Sequence, residues 1–225
     1  MNSTVLEYFL GEGVEAFSTR KGCTLPYDVI CAHQIHDNNV ACVETPGLTR
    51  EDLEGFDALI TGNPECAIAV RTADCIPVLL FDPVKKVVAA VHSGWKGTVK
   101  RIPKKCIFQM TTHYGCNPKD IRAVIGPGIS VESFQVGDEV VNAFKAADFN
   151  IDEIYRWDGP RTDEPMKGGH HLDLFKANRI ILEESGVQSE NIQVCGIDTF
   201  TDESFFSARR EGTGCGRIIN VIRLK

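Results

Sequence analysis

Three runs of β-branched and apolar residues predict buried strands at residues 67–70, 76–81 and 87–91. Asp82-Pro83, followed by two lysines, separates the second run from the third, and this composition is typical of a tight turn. The second and third runs are therefore predicted to pair as antiparallel strands. All three runs are expected near the centre of a sheet.

Apolar residues at helical spacing predict helices in the second half of the chain. The first covers residues 97–114, where Pro103 either kinks the helix or marks its true start. Strands and helices alternate irregularly, which favours an α+β fold with mixed sheets and helices packed outside. The remaining predictions are helices at 137–147 and 172–185, strands at 123–125, 192–197 and 217–224, and a mobile loop at 156–171.

Composition places the chain among ordinary globular proteins. It has 225 residues, 43% of them hydrophobic and 24% charged, which suits one domain over residues 1–225. The formal net charge is -7, which disfavours a nucleic acid partner because such binding normally needs a basic patch. No apolar run is long enough for a membrane span, so no membrane partner is predicted.

Cysteine usage bears on the cellular compartment. The nine cysteines are odd in number and form no Cys-x-x-Cys pair, so a disulfide framework is not expected. The first residues carry acids and lack the basic and apolar regions of a signal peptide. Together these features predict a reducing, cytoplasmic setting.

One histidine and one cysteine are predicted to meet at the end of the strand pair. His92 lies where an apolar strand gives way to glycines, and Cys75 precedes the partner strand. Both are almost equally far from the turn, so an antiparallel pairing makes them neighbours. A thiolate beside an imidazole suits a nucleophilic pair or two ligands of zinc. A buried thiol without a function is the third alternative.

A further histidine ligand would favour a metal. His33 and His36 both lie in the stretch Cys-Ala-His-Gln-Ile-His, which we expect to be extended. Side chains three residues apart on a strand point to opposite faces, so only one of the two can face the site, and spacing does not say which. One cysteine and two histidines would leave the fourth zinc position for water or substrate.

Two further segments have weaker chemical patterns. The turn Gly212-Thr213-Gly214-Cys215-Gly216 resembles a phosphate-cradling loop, but it lacks a Walker lysine, and a flexible turn is the favoured interpretation. Arg209-Arg210 follows two phenylalanines, which suits a phosphate or a stacked base and equally suits surface ion pairs.

The chain resembles the laccase-domain family of zinc-dependent purine nucleoside phosphorylases, formerly described as multicopper polyphenol oxidases. The resemblance extends from residue 17 almost to the C-terminus, with its motifs in the family's order. The matching segments are Phe17-Ser18-Thr19-Arg20, Gln34-Ile35-His36, Asp57-Ala58-Leu59-Ile60-Thr61, Thr72-Ala73-Asp74-Cys75, Val91-His92-Ser93-Gly94-Trp95-Lys96-Gly97, Ile125-Gly126-Pro127, Leu172-Asp173-Leu174, Ala177-Asn178-Arg179 and Phe206-Ser207-Ala208-Arg209-Arg210.

The resemblance implies a site and an activity. The Gln-x-His motif selects His36 over His33, and with Cys75 and His92 it forms the implied zinc site, with Asp74 as a supporting partner. Arg20 and Arg209 are implied in substrate or anion binding. The implied fold has α-β-β-α layers. The implied partners are purine nucleosides and inorganic phosphate, with adenosine deamination and methylthioadenosine phosphorolysis as further activities and a homodimer as a possible assembly.

Three alternatives stay open. A copper-dependent phenol oxidase follows from the older family name, although such oxidases need several copper centres and many more histidines than the six present. A metal-free hydrolase would use Cys75 and His92 as its nucleophilic pair. A non-catalytic interaction protein would bind metal without turnover. Ser133 and Cys215 depart from the family pattern and bear on substrate preference more than on the metal.

Overall fold

The computed structural model describes residues 4–160 and 168–225, which form three β-sheets with helices around them. The five-stranded sheet has the order β1-β2-β14-β6-β3, the six-stranded sheet the order β13-β9-β7-β8-β5-β4, and the small sheet the order β10-β12-β11. The strands are β1 Val5–Tyr8, β2 Val14–Thr19, β3 Ile30–Cys31, β4 Val40–Cys42, β5 Ala58–Thr61, β6 Ile68–Thr72, β7 Ile76–Asp82, β8 Val87–Ser93, β9 Arg122–Ile125, β10 Gln135–Val136, β11 Tyr155–Trp157, β12 His170–Leu172, β13 Ile192–Val194 and β14 Ile218–Leu224.

The helices of the described residues are mostly short. They are α1 Trp95–Val99, α2 Ile102–Tyr114, α3 Asp138–Ala146, α4 Ile151–Ile154, α5 Leu174–Glu184 and α6 Ala208–Glu211, with a 3-10 turn at Ser189–Asn191. Within residues 4–160 and 168–225, no helix is long and apolar enough to cross a membrane.

Strand β7 shows why the central strands are apolar along their whole length. Val78 and Leu80 pack with the helices on one face of the six-stranded sheet. Leu79 and Phe81 alternate with them and pack between the two large sheets. Because side chains alternate along a strand, burial on both faces requires an uninterrupted apolar run. The predicted mixed sheets with helices outside are confirmed.

The outer face of the five-stranded sheet is covered in a different way. Phe17 and Val221 on this face pack with Leu25, Tyr27 and Val29, which lie in the loop between β2 and β3. This loop shields that face of the sheet from water.

The predicted strand pair is confirmed, with one correction to its surroundings. Strands β7 and β8 are antiparallel, and Pro77 lies opposite His92. The segment predicted at 67–70 is β6, but it belongs to the five-stranded sheet. The prediction that all three runs share one sheet is therefore wrong, because the chain crosses between sheets at residues 73–75.

The helix predicted over residues 97–114 is two helices. Arg101 has a left-handed φ of 55°, and α2 then begins with Pro103 in its first turn. Proline fits there because the first turn needs no donor from its N–H. The helices predicted at 137–147 and 172–185 are confirmed as α3 and α5. The predicted loop at 156–171 is wrong at its ends, which lie in β11 and β12, and 161–167 lie outside the described residues.

Candidate metal centre

His92 is fixed at the end of β8 by the chain just before β5. Its backbone N–H donates to the Asp57 carbonyl at 2.8 Å, and its Nδ1 donates to Asp57 Oδ1 at 2.8 Å. Both side chains are buried, at 2% and 0% exposure. Since Nδ1 is occupied by the carboxylate, Nε2 is the nitrogen left to act as a ligand or base.

Cys75 lies on the bend where the chain passes from β6 in one sheet to β7 in the other. Asp74 in this bend has a φ of 85°, a left-handed conformation that costs about 1–3 kcal/mol for a non-glycine residue. Its carboxylate accepts hydrogen bonds from Thr199 Oγ1 and from the Arg209 N–H, both at 2.7 Å. Its carbonyl accepts from the Ile129 N–H at 2.8 Å. The strained bend is thus held from three other segments.

His36 lies on a turn that is built around the same carboxylate as His92. The N–H groups of Ile35, His36 and Asp37 donate to the two Asp57 oxygens at 3.2, 2.9 and 2.8 Å. His36 itself has a φ of 62°. Strand β3 ends at Cys31, so the prediction of an extended stretch through both histidines is wrong. The three N–H groups converge on one anion and set the turn.

These three segments bring His36, Cys75 and His92 together. Their ligand atoms all lie within 4.8 Å of one another, and the two imidazole rings meet edge to face with 4.8 Å between centroids. Burial raises the pKa of the Cys75 thiol, but the His92 charge and hydrogen bonds from both imidazoles lower that pKa to about 6. Burial lowers the pKa of His92, but Cys75 and Asp57 raise it to about 9. Without metal, these opposite shifts favour a thiolate on Cys75 and a protonated imidazole on His92.

The donor set fits a transition metal such as zinc. One thiolate and two imidazoles are ligands that zinc and copper both accept, and the Asp57 carboxylate on His92 is the outer partner that ligating histidines usually have. Gly94 leaves room beside the cluster, because a Cβ there would lie 2.9 Å from Cys75 Sγ and 3.4 Å from His36 Cδ2. Within the described ranges, this is the one group of three or more such side chains.

The cluster opens into a cavity of about 900 Å³. This volume lies at the upper end of the range for small-molecule sites and is enough for a nucleoside. Ile129 and Phe134 supply apolar wall, and His33 lies on the wall as well. Both predicted histidines therefore face the cavity, contrary to the expectation for a strand, although only His36 belongs to the cluster.

The two predicted arginines lie in different places. Arg209 lines the cavity, stacks 5.7 Å from the Phe134 ring and donates to the Gln135 carbonyl at 3.1 Å. Arg20 lies outside the cavity lining, over the Phe205 ring at 4.6 Å, paired with Asp202 at 3.6 Å. Substrate binding by either arginine stays a prediction.

The sequence pattern did not indicate the role of every residue at this site. Asp57 was part of a quoted motif, and the signal that could have found it is a carboxylate placed directly before an apolar strand. The Asp74 carboxylate contacts Thr199 and the start of α6, and its support of the metal ligands stays a prediction. Arg50, Arg71 and Arg217 also line the cavity; Arg71 directly precedes the Thr72-Ala73-Asp74-Cys75 motif and Arg217 directly follows the glycine-rich turn, but none of the three was given a role.

A family profile decides the affiliation of the chain. The profile described as multi-copper polyphenol oxidoreductase laccase matches residues 15–225, which is nearly the whole sequence. The chain belongs to this laccase family. Three metal-ligand candidates, Asp57 and the cavity arginines all lie inside the matched region.

Three relatives of this chain are named as enzymes that act on purine nucleosides. A purine nucleoside phosphorylase of Bacteroides thetaiotaomicron is 36% identical, with 94% of this chain and 82% of that protein covered. A purine nucleoside phosphorylase of Deinococcus radiodurans is 40% identical over 85% of this chain and 68% of that protein. A protein from an unknown prokaryotic organism, named adenosine deaminase RL5, is 39% identical over 88% and 76%.

Two solved structures share the fold of this chain. The Bacillus licheniformis hypothetical protein YfiH superposes with a TM-score of 0.82 at 28% identity, covering 94% of this chain and 93% of that one. YlmD from Geobacillus stearothermophilus superposes with a TM-score of 0.84 at 24% identity, covering 100% and 97%, and shows the fold alone. The predicted α+β class is therefore confirmed.

Proposed function

We propose that this protein is a zinc-dependent purine nucleoside phosphorylase, which converts a nucleoside such as adenosine, inosine or guanosine and phosphate into free base and ribose 1-phosphate. One observation carries the proposal: the His36, Cys75 and His92 cluster opens into a nucleoside-sized cavity whose wall is rich in arginine. The names of the relatives support the same reaction.

The proposed reaction makes clear demands on the cavity. A phosphate oxygen forms a bond to ribose C1′ while the bond from C1′ to the purine nitrogen breaks. The purine leaves with the electron pair of that bond and takes up a proton. Arginine side chains in the cavity offset the charge of the attacking phosphate and hold it near the ribose. Zinc, when bound, supplies a Lewis acid that polarises a substrate atom.

Arg209 and Phe134 are the proposed contacts to the nucleoside. Phe134 and Arg209 both line the cavity, and the Arg209 guanidinium lies 5.7 Å from the centre of the Phe134 ring. We propose that Arg20 acts indirectly. It pairs with Asp202 and donates to Ser204, and so holds the turn that precedes α6 and Arg209. The direct test of both is whether a glutamine substitution raises the KM for nucleoside.

Zinc is the proposed metal, with copper as the alternative. The donor set alone suits either ion. Multicopper oxidation needs several centres, and within residues 4–160 and 168–225 only one three-ligand cluster is present. Metal analysis of the purified protein with oxygen uptake on a phenol separates the two: stoichiometric copper with oxygen uptake would replace zinc in this account.

Two other reactions have support of their own. The relative named adenosine deaminase favours deamination of adenosine as a second activity. The low pKa of Cys75 beside His92 favours a metal-free cysteine hydrolase. Retained activity after complete zinc removal, lost on alkylation of Cys75, would favour the hydrolase.

Incubation of zinc-loaded protein with adenosine tests the proposal. We expect adenine and ribose 1-phosphate when phosphate is present, and neither product in a Cys75→Ala variant. Inosine formed without phosphate would mean deamination alone, and an absence of turnover on adenosine, inosine and guanosine would refute the proposal. Phosphorolysis of methylthioadenosine, the single domain, the cytoplasmic location, the homodimer and the absence of nucleic acid and membrane partners stay predictions.

A further inference from the structure

We infer that Arg50, Arg71 and Arg217 form an oxyanion subsite in the cavity wall, and that this subsite holds the inorganic phosphate of the reaction. The identity of the anion rests on the proposed function. The existence of the subsite rests on the placement and partners of the three guanidinium groups.

Positive charge is concentrated at this wall. The chain has a net charge of -7, yet the cavity lining contains four arginines and a single carboxylate, Asp74. Both Asp74 oxygens are already occupied, by Thr199 and by the Arg209 backbone. In the described part of the chain, Arg50, Arg71 and Arg217 form no ion pair with any carboxylate. An oxyanion would supply the missing negative charge.

The three arginines are close enough to influence one another. Burial lowers the pKa of Arg71 most, and the charges of Arg50 and Arg217 lower it further. Like charges gathered at a half-buried surface are unfavourable unless an anion binds between them. Arg50 and Arg71 also border a second cavity of about 350 Å³, lined largely by apolar side chains such as Leu25 and Leu48. The apolar surroundings strengthen a charge-assisted hydrogen bond.

Two of the three arginines are anchored before any anion binds, Arg71 through its backbone and Arg217 through its guanidinium group. The Gln34 amide pairs with the backbone of Arg71, donating to its carbonyl at 2.9 Å and accepting from its N–H at 2.8 Å. The Arg217 guanidinium donates to carbonyls of the glycine-rich turn, including Thr213 at 2.9 Å and Gly216 at 3.0 Å. That turn lines the cavity at Thr213 and Gly214. The turn at residues 212–216, for which the sequence favoured a flexible turn without a ligand, is therefore part of the subsite wall.

The chemistry of guanidinium groups points to phosphate. The Arg50 and Arg71 guanidinium groups make no hydrogen bond within residues 4–160 and 168–225, so their planar donor pairs are available. Such pairs match two oxygens of a phosphate at once. Inorganic phosphate offers four oxygens, which allows contact with arginines from three separate chain segments.

Isothermal titration calorimetry of the zinc-loaded protein with inorganic phosphate, at one low salt concentration, tests the subsite. The variants are Arg71→Gln and Arg50→Gln, with Arg179→Gln as control because Arg179 pairs with Glu183 on α5 outside the cavity. We expect at least a tenfold rise in the phosphate Kd for Arg71→Gln, a smaller rise for Arg50→Gln and no change for Arg179→Gln. Arg71→Lys keeps the charge and should recover part of the loss. Zinc content reports on intact folding.

The phosphate subsite and the proposed phosphorylase function can be refuted separately. Phosphate affinity equal to wild type in both Arg71→Gln and Arg50→Gln overturns the subsite, even if nucleosides are cleaved. Adenosine cleavage with an unchanged phosphate KM in Arg71→Gln overturns it as well. Phosphate binding that depends on Arg71, in a protein that turns over no nucleoside, supports the subsite and refutes the proposed function.

Discussion

Replacing Asp57 with asparagine removes the charge that joins two of the three candidate ligands. Oδ1 accepts from the His36 N–H at 2.9 Å and from His92 Nδ1 at 2.8 Å, and Oδ2 accepts from Ile35 and Asp37. Asparagine has the same shape but only one acceptor oxygen. Its amide nitrogen would face two donors. Two of the four hydrogen bonds are then lost whichever way the amide turns.

The expected size of the effect follows from those contacts. A hydrogen bond to a charged group contributes about 1.5–3 kcal/mol, so losing two lowers the free energy of unfolding by roughly 3–6 kcal/mol. Asp57 is fully buried, so solvent does not screen these contacts. Loss of an outer partner of a ligating histidine typically weakens metal binding about 10–100-fold. Both consequences should appear in the same variant.

Zinc affinity measured by competition with a chromophoric chelator at neutral pH is the assay. Thermal unfolding with and without a chelator follows the stability change in parallel. Asp152→Asn is the matched control, because Asp152 is exposed on α4. Zinc binding by Asp57→Asn within about threefold of wild type would refute the argument that this carboxylate positions the ligands.

Three other changes have expected outcomes. His36→Ala should lose zinc and His33→Ala should retain it, as measured by metal analysis after dialysis, since only His36 belongs to the cluster; equal zinc in both would contradict the ligand choice. Gly94→Ala should weaken zinc binding, measured by the same chelator competition, because its Cβ would lie 2.9 Å from Cys75 Sγ; unchanged affinity would mean that the cluster has spare room. In zinc-free protein, iodoacetamide should alkylate Cys75 with a half-maximal rate near pH 6, since its pKa is lowered to about 6, while burial raises the pKa of Cys195 to about 11 and keeps that thiol slow. Peptide mass spectrometry measures the alkylation at each pH. A Cys75 rate that rises only above pH 8 would contradict a thiolate on Cys75 at neutral pH.

The strand pair was predictable because its pattern is local. Residues 76–91 contain two apolar runs and a turn of aspartate and proline, and these alone place Cys75 near His92. Pro103 likewise indicated the true start of α2. Such features depend on side chains within a few positions of one another, so the sequence displays them directly.

The carboxylate that orients the site was not predictable from the pattern. Asp57 lies 21 residues from His36 and 35 residues from His92; the pairing of β5 with β8 brings it to His92, and the pairing of β5 with β4 brings it to the turn of His36. The geometry around His36 was missed for a similar reason. Its left-handed turn is imposed by three N–H contacts to that distant carboxylate, whereas the local residues favour a strand.

The arginines of the cavity illustrate the same limit. Arg50 and Arg217 lie on loops, Arg71 is the penultimate residue of β6 in the five-stranded sheet, and no spacing in the sequence links them. The change of sheet at residues 73–75 is what places the end of β6 beside the metal-ligand cluster. A pattern of hydrophobic positions does not reveal that change.

Stepwise addition of zinc to metal-free protein, with phosphate-dependent adenine release measured at each step, tests the central claim most directly. We predict that adenine release rises with bound zinc and reaches its plateau at one zinc per chain. Cys75→Ala should show no rise over the same range. Adenine release that is already maximal without zinc, or that appears only with copper, would contradict the account.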